Sequence, residues 1–295
     1  MSENDGAYVA VNLELRVPNF DPRIGDEVIT RVGRELAGRP WWFLRYWQSG
    51  PHIRFRAMRA EDAEAVIDSV TRAFAHCSTT SWQGITEVSD REYRAAVSDA
   101  ARQGEGRGEL ECLPLSPLGV RVRPFESEEA RYGGEQGYRA AIRAFSASSI
   151  SVALTLESRP DLDARTRYLL GAAAMANFYG RAAEIAGAAG VLVRDSLARP
   201  SGRPSEEGGP VPARVVEMMT RMVENPRPDA LEHLDSRLPG PSVKDVLSSG
   251  HAPVQGAYLR AIIHTTCNRL GLPVEAEGPL RRTALALVHE RGPAS

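Results

Sequence analysis

The sequence predicts an α+β protein in which helices pack against an antiparallel or mixed β-sheet, in a single domain over residues 1–295. The first 80 residues alternate between strand-like and helix-like segments in the order βαββα. The rest of the chain consists mainly of segments with helical periodicity, several of them rich in alanine. With 295 residues, of which 42% are hydrophobic, the chain can bury a sizeable core.

The N-terminal strands are predicted from alternation of apolar and polar side chains. The predicted elements of this part are strands at 8–15, 41–48 and 52–58 and helices at 25–37 and 60–76. A short turn at Ser49-Gly50-Pro51 joins the second and third strands into a hairpin. In the third strand, Ile53, Phe55 and Ala57 are expected on one face, with His52, Arg54, Arg56 and Met58 on the other.

The remainder of the chain is predicted to be largely helical. Its predicted elements are a strand at 117–125 and helices at 134–157, 162–190 and 254–270. The segment 199–213 is dense in Pro, Gly, Ser and charged residues, and predicts a mobile loop within the domain. The helix at 254–270 is predicted to be the last one, because Gly271 and Pro273 follow it as termination signals.

Composition and motif content argue against several classes of protein. A net charge of -2 gives no basic field for direct nucleic-acid binding. The three cysteines show no paired spacing, so neither a disulfide framework nor a metal site is expected. Neither a GxGxxG motif nor a P-loop is present, so no cofactor is expected. Without a signal peptide or a long apolar run, the chain is expected to be soluble and cytoplasmic, away from membranes.

Three stretches combine charged residues with apolar surroundings. The first is the row His52, Arg54 and Arg56, whose like charges are stable only in water or opposite an anion. A solvated sheet face and an anion site both fit this pattern.

The second stretch is residues 126–134, in which Glu128 and Arg131 are close enough in sequence to meet on one helical turn before the Gly133-Gly134 pair. The third is the predicted last helix, on which Arg260, His264 and Asn268 share one face. A lone helical histidine is more often packed than catalytic. The arginine and asparagine on the same face favour a functional interpretation.

These stretches, in this order, resemble the C-terminal domain of lantibiotic dehydratases, which also occurs alone as the thiopeptide-type bacteriocin biosynthesis proteins. The hairpin signature is met by Arg45-Tyr46, Gly50-Pro51 and the His-x-Arg-x-Arg run at 52–56. The Glu-x-x-Arg-Tyr-Gly-Gly signature is met at 128–134, and His-x-x-x-Asn-Arg-Leu-Gly at 264–271. The resemblance covers nearly the whole chain.

The resemblance implies two related chemistries. In the dehydratases, a large separate domain esterifies a peptide Ser or Thr with glutamate from glutamyl-tRNA, and the smaller domain eliminates the glutamate to leave dehydroalanine or dehydrobutyrine. In thiopeptide pathways, a diverged relative joins two dehydroalanines in a formal [4+2] cycloaddition that expels the leader peptide. Nothing here resembles the large domain. The resemblance therefore implies one half of a split lanthipeptide or thiopeptide system.

Elimination of glutamate by a carbon–oxygen lyase is the favoured activity, because the arginines suit a leaving group that carries carboxylates. His264 is the natural proton carrier. Glu128 either holds Arg131 or serves as the base itself. The catalytic candidates are Arg54, Arg56, Glu128, Arg131 and His264, and the substrate-binding candidates are Arg45, His52, Arg260, Asn268 and Arg269.

Two alternatives stay open, a pyridine synthase and a non-catalytic subunit that binds the leader peptide. The partners implied are a precursor peptide, with its leader and core, and a separate tRNA-dependent glutamylation enzyme. A homodimer is one assembly open to such a protein. An exposed edge of the strand at 8–15 is a candidate for binding the leader by strand addition, although an ordinary edge strand fits equally well.

Overall fold

The computed structural model describes residues 11–102, 113–125, 128–132, 134–186, 209–225 and 252–291. Most of the predicted loop, residues 199–208, lies outside this described part of the chain, as do residues 8–10 and 187–190 of the predicted first strand and long helix. The last residue of the predicted loop, Ala213, begins a helix.

The chain divides into two compact units. Residues 1–127 and 148–162 form the first, and residues 128–147 and 163–295 form the second. The long helix α4, Glu135–Ser158, contributes its beginning to the second unit and its end to the first. Organisation as one domain over residues 1–295 stays a prediction.

In the residues that the structure describes, the first unit is built on a four-stranded antiparallel sheet. Its strands are β1 (Val11–Arg16), β2 (Trp41–Tyr46), β3 (His52–Ala57) and β4 (Gly119–Val122), in the order β2-β3-β1-β4. The predicted α+β class is therefore confirmed. The predicted edge for leader binding at residues 8–15 is wrong, because β1 lies between β3 and β4 and its backbone is paired on both sides.

One face of the sheet is apolar and forms the core of this unit. Leu13, Phe43 and Phe55 are each 0% exposed on that face. The helices of the unit are α1 (Pro22–Glu35), α2 (Ala60–Thr79) and α3 (Asp90–Arg102). Helix α2 packs on the sheet and on α1. The end of α4 reaches the β2 edge, where the Phe43 backbone N–H donates to Ser149 Oγ at 3.1 Å.

The second unit is helical. A 3₁₀ turn at Glu129–Tyr132 and the first part of α4 are followed by α5 (Ala164–Ala186), α6 (Ala213–Glu224), α7 (Ala252–Leu270) and α8 (Val274–Glu290). Helix α5 packs against α6, α7 and α8. Met175, Met219 and Leu280 lie in the resulting core, each at most 1% exposed. No helix in the described ranges is both long and apolar enough to cross a bilayer.

Helix α7 is not the last helix, so the prediction at this point was wrong. Gly271 does end α7, with a positive φ of 73°. Pro273, however, is the residue that precedes α8 and caps it. Proline is as well suited to starting a helix as to following one, because the first backbone N–H groups of a helix have no partner within it. Helices α3 and α6 were also not predicted.

Replacing Gly137 by alanine should destabilise the second unit. A Cβ at this position would overlap the Tyr132 carbonyl oxygen, which is a backbone atom that cannot rotate away. We expect a loss of about 2–3 kcal/mol in the free energy of unfolding, as for other overpacked sites. Urea denaturation followed by circular dichroism measures it. Gly209→Ala is the control for adding a methyl group, because nothing lies within 4 Å of a Cβ there and its φ is outside the left-handed region. Equal losses in both variants would contradict the explanation.

Candidate functional site

The polar face of the sheet carries the predicted arginine row. In the strand register, Arg54 lies opposite Glu14, Arg56 opposite Asn12, and His52 opposite Arg16. Ile53 and Phe55 point to the core, at 1% and 0% exposure. The predicted division of this strand into two faces is therefore confirmed, and the row faces an acidic residue of β1.

Arg54 is held in a fixed position by three neighbours. Its Nε donates to His52 Nε2 at 3.1 Å and lies 3.2 Å from Glu14 Oε1. Its guanidinium carbon stands 3.7 Å above the centre of the Tyr46 ring, a cation–π geometry. The two polar partners both lie at Nε, and within the described residues the terminal Nη1 and Nη2 groups have no hydrogen-bond partner. The side chain is 23% exposed.

His52 acts as an uncharged support for Arg54. Burial lowers its pKa to about 4, despite a hydrogen bond to the Gly50 carbonyl that acts to raise it, so the ring is neutral at pH 7. Since a carbonyl oxygen only accepts, Nδ1 donates to Gly50 O at 2.9 Å and carries the ring hydrogen. Nε2 is then the acceptor for Arg54, so the backbone turn fixes the tautomer that orients the arginine.

Glu14 is the residue of this cluster that the sequence did not reveal as functional. Its Oε1 contacts Arg54, and its Oε2 accepts from Arg123 Nε at 3.0 Å. Burial acts to raise the pKa of Glu14, but the neighbouring His52, Arg54 and Arg123 outweigh it and the pKa is lowered. The alternation of apolar and polar residues in β1 places Glu14 on the polar face. The sequence does not show which residues Glu14 contacts, because these depend on which strands pair with β1.

Among the described residues, the polar face carries more positive than negative charge. Arg16, Arg54, Arg56, Arg121 and Arg123 lie on it by register or by contact with Glu14, and the acidic groups found near them are Glu14 and Glu87. Arg16 is 2% exposed, so the surface charge comes from the other four arginines. Arg56 lies near two aromatic rings, with its guanidinium carbon 5.8 Å from the centre of the Trp42 ring and 5.4 Å from that of Phe125. Such a surface attracts anions.

Arg45 does not join this row. It lies opposite Ile53 and therefore on the other face of the sheet. Its Nη2 pairs with Asp26 at 2.5 Å, its Nη1 donates to the Pro22 carbonyl at 2.8 Å, and its side chain is 14% exposed. These contacts attach β2 to the start of α1, so the predicted binding role of Arg45 stays a prediction.

The buried neutral state of His52 makes stability depend on pH. The unfolded ring takes up a proton near its ordinary pKa of 6.5, whereas the folded ring does so only at about 4. As pH falls from 6.5 to 4, the free energy of unfolding should therefore drop by about 3 kcal/mol. His52→Gln should reduce this drop, as measured by urea midpoints at pH 7, 6 and 5. His289→Gln, at an exposed histidine, is the control and should follow the wild type. Parallel curves for all three proteins would contradict the prediction.

In the second unit, His264 pairs with a residue that was not predicted. Its Nδ1 lies 2.8 Å from Glu277 Oε2, and the two side chains are 42% and 9% exposed. Glu277 stands in the first turn of α8. The acidic residues 275 and 277 directly after Pro273 are a helix-start signal that could have indicated this helix, but not its contact with His264.

The other predicted residues of α7 have different environments. Arg260, His264 and Asn268 are all partly exposed on one face, as predicted. Burial lowers the pKa of Arg260, near the buried Tyr179. Arg269 is 0% exposed, and its guanidinium carbon lies 5.2 Å from the centre of the Phe145 ring, so it belongs to the core of this unit.

The second signature lies at the start of the second unit. Glu128 directly precedes the 3₁₀ turn Glu129–Tyr132 that contains Arg131. The side chain of Arg131 lies outside what the structure describes, so its pairing with Glu128 stays a prediction. Gly134 has a φ of 93°, consistent with the predicted sharp turn before α4.

The comparison with protein families shows to which family the chain belongs. The family described as lantibiotic biosynthesis dehydratase C-term matches residues 23–286, which is nearly the whole chain. The chain belongs to this family. None of the curated proteins matches the chain significantly.

Two solved structures are similar to this dehydratase C-terminal family member. TbtD, a pyridine synthase from thiomuracin biosynthesis, is similar with a TM-score of 0.55 and 18% identity, over 95% of this chain and 97% of that one. MibB, a tRNA-dependent lantibiotic dehydratase from Microbispora sp. 107891, is similar with a TM-score of 0.49 and 18% identity, over 99% of this chain and 29% of MibB. At this identity, the likeness to TbtD shows the fold.

Within this family member, the predicted site residues form two groups. His52, Arg54 and Arg56 lie together on the sheet of the first unit. Arg260, His264 and Asn268 lie together on α7 of the second unit. Arg45 and Arg269 are each directed to a core and belong to neither group.

Proposed function

We propose that this lantibiotic dehydratase C-terminal protein eliminates glutamate from glutamylated Ser or Thr residues of a ribosomally synthesised precursor peptide. The products are dehydroalanine and dehydrobutyrine, and the activity is that of a carbon–oxygen lyase. The observation that supports it best is Arg54, whose Nε is held by His52 and Glu14 while its terminal amino groups have no partner within the described residues.

An arginine held in this way is suited to binding a carboxylate. Two terminal N–H groups match two carboxylate oxygens, and the fixed Nε removes the rotational freedom that binding would otherwise cost. A glutamyl ester has a free carboxylate and releases a second one when the bond breaks. The excess of arginine on the polar face stabilises both charges.

The elimination also needs a base for a weakly acidic proton. In the proposed reaction, His264 takes the α-proton of the esterified serine. The electron pair then forms the Cα–Cβ double bond, the Cβ–O bond breaks, and glutamate leaves as a carboxylate. The imidazolium that results returns its proton to water. The partly exposed ring of His264 fits a group that must meet a substrate.

The proposal names a peptide substrate and a second enzyme as partners. The precursor peptide supplies the leader and the core, and a separate tRNA-dependent enzyme supplies the glutamyl ester. No nucleic acid contact, cofactor or metal is needed for the step. The alternative activity is the one named for TbtD, pyridine formation. Its neutral substrate does not call for an arginine prepared for a carboxylate.

Mass spectrometry of a glutamylated Ser-containing precursor peptide, incubated with this protein alone, tests the proposal. Loss of glutamate with formation of dehydroalanine is the expected result. Persistence of the ester would overturn it. The same protein would then be given a peptide that already contains two dehydroalanines. Release of the leader with a pyridine macrocycle would identify a pyridine synthase, and no reaction in either assay would identify a binding subunit.

A further inference from the structure

The pairing of His264 with Glu277 joins two helices of the second unit. His264 lies on α7 and Glu277 in the first turn of α8, with Nδ1 and Oε2 2.8 Å apart. The carboxyl group is nearly buried, with the side chain 9% exposed, whereas the imidazole is 42% exposed. The couple therefore has an inner acidic end and an outer basic end.

The pairing with a carboxyl group bears on which imidazole nitrogen carries the proton. An ionised carboxylate only accepts hydrogen bonds, so opposite ionised Glu277 the hydrogen is on Nδ1 and the lone pair is on Nε2. The two nitrogens lie on opposite sides of the ring, so Nε2 faces away from Glu277. This is the tautomer that a proton acceptor at Nε2 requires.

Glu277 is not well placed to stabilise the fold. Its second oxygen, Oε1, is buried and has no hydrogen-bond partner within the described residues. A buried carboxylate with an unsatisfied oxygen costs free energy that a single ion pair does not fully offset. An apolar residue would serve the core of the unit better, which points to a role for the carboxylate in the chemistry of His264.

We propose that Glu277 is the positioning residue for His264 in the elimination. It accepts the Nδ1–H hydrogen bond, presents Nε2 to the substrate, and balances the positive charge that the ring gains when Nε2 takes the α-proton. This rests on the proposed function, in which His264 is the base.

Other charged or titratable groups lie close to the couple. Tyr179 on α5 and Cys267 on α7 lie near Glu277, and Arg260 on α7 and Arg281 on α8 lie near Tyr179. The 3₁₀ turn that carries Glu129 and Tyr132 packs against α7. Burial raises the pKa of both Cys267 and Tyr179, so they stay uncharged near neutral pH. Glu277 contacts the imidazole of His264 directly.

Nitrogen-15 NMR of the imidazole of His264 in the free protein tests the pairing without any substrate. In the wild type, Nδ1 should be the protonated nitrogen and Nε2 the unprotonated one. In Glu277→Gln, the amide oxygen can still accept from Nδ1, but the charge is lost, so the pKa of His264 should fall by about one unit or more. Glu275→Gln is the matched control, an exposed residue in the same helical turn. An unchanged His264 titration in Glu277→Gln would overturn the proposal.

The elimination assay tests the catalytic role. Glu277→Gln should lower kcat by about 10- to 100-fold with little change in KM, by analogy with other groups that orient a histidine. Glu277→Asp keeps the charge and should recover part of the lost kcat. This variant also keeps the prediction testable if Glu277→Gln does not fold. If the wild type makes no dehydroalanine, the proposed function is overturned, and the positioning role of Glu277 is overturned with it. If the wild type is active but kcat of Glu277→Gln is unchanged, the role alone is overturned.

Discussion

Replacing Arg54 by lysine should lower kcat/KM for release of glutamate by about 100-fold or more. Lysine keeps the charge but cannot present two parallel N–H groups to a carboxylate. It also lacks the Nε group through which His52 and Glu14 hold the side chain. Dehydroalanine formation from a glutamylated peptide, followed by mass spectrometry under single-turnover conditions, measures the effect.

Arg72→Lys is the matched control for the Arg54 substitution. Arg72 lies on α2, is 62% exposed and pairs with Glu35, so its replacement should leave activity unchanged. Wild-type activity in Arg54→Lys would show that a single positive charge is sufficient. The support from His52 and Glu14 would then have no catalytic meaning.

Replacing His264 by alanine should lower kcat for elimination by about 10²- to 10⁴-fold, the usual contribution of a positioned general base. Because the carboxylates of the substrate are proposed to bind elsewhere, at the arginines, KM should change much less. The glutamylated peptide should accumulate and stay intact in the same mass spectrometric assay. This outcome also separates the two candidate bases, since retained activity would favour Glu128.

The control for this substitution is His289→Ala. His289 is an exposed histidine near the end of α8, so its loss should not affect elimination. If both variants lost activity equally, the effect would reflect the stability of the helical unit rather than proton transfer. Circular dichroism of the two variants distinguishes these cases.

The hairpin shows how much of the site the sequence could predict. Alternation in residues 52–57 correctly separated the arginine row from the apolar face, because strand side chains alternate strictly between two faces. Alternation within β3 does not show on which face Arg45 of the neighbouring strand β2 lies, because that depends on how the two strands pair. The pairing sets Arg45 opposite Ile53, on the face where it contacts Asp26. Pairing is a property of two strands, and a single strand does not reveal it.

Glu14 and Glu277 show why part of the site was not predictable. Each is distant in sequence from the side chain it supports, by 40 residues for Glu14 and Arg54 and by 13 for Glu277 and His264. Glu277 was further hidden because Pro273 was interpreted as the end of the chain's last helix and is in fact the cap of another.

The sequence by itself determined the α+β class, the two faces of β3, the polar face of α7 and the family signatures, because these depend on local periodicity and short motifs. The tertiary structure decided the strand order, the neutral state of His52, the contacts that hold Arg54 and the pairing of His264. These depend on burial and on contacts between segments far apart in the chain. The free energy of a charged or polar group is set by those surroundings, and the local sequence does not contain them.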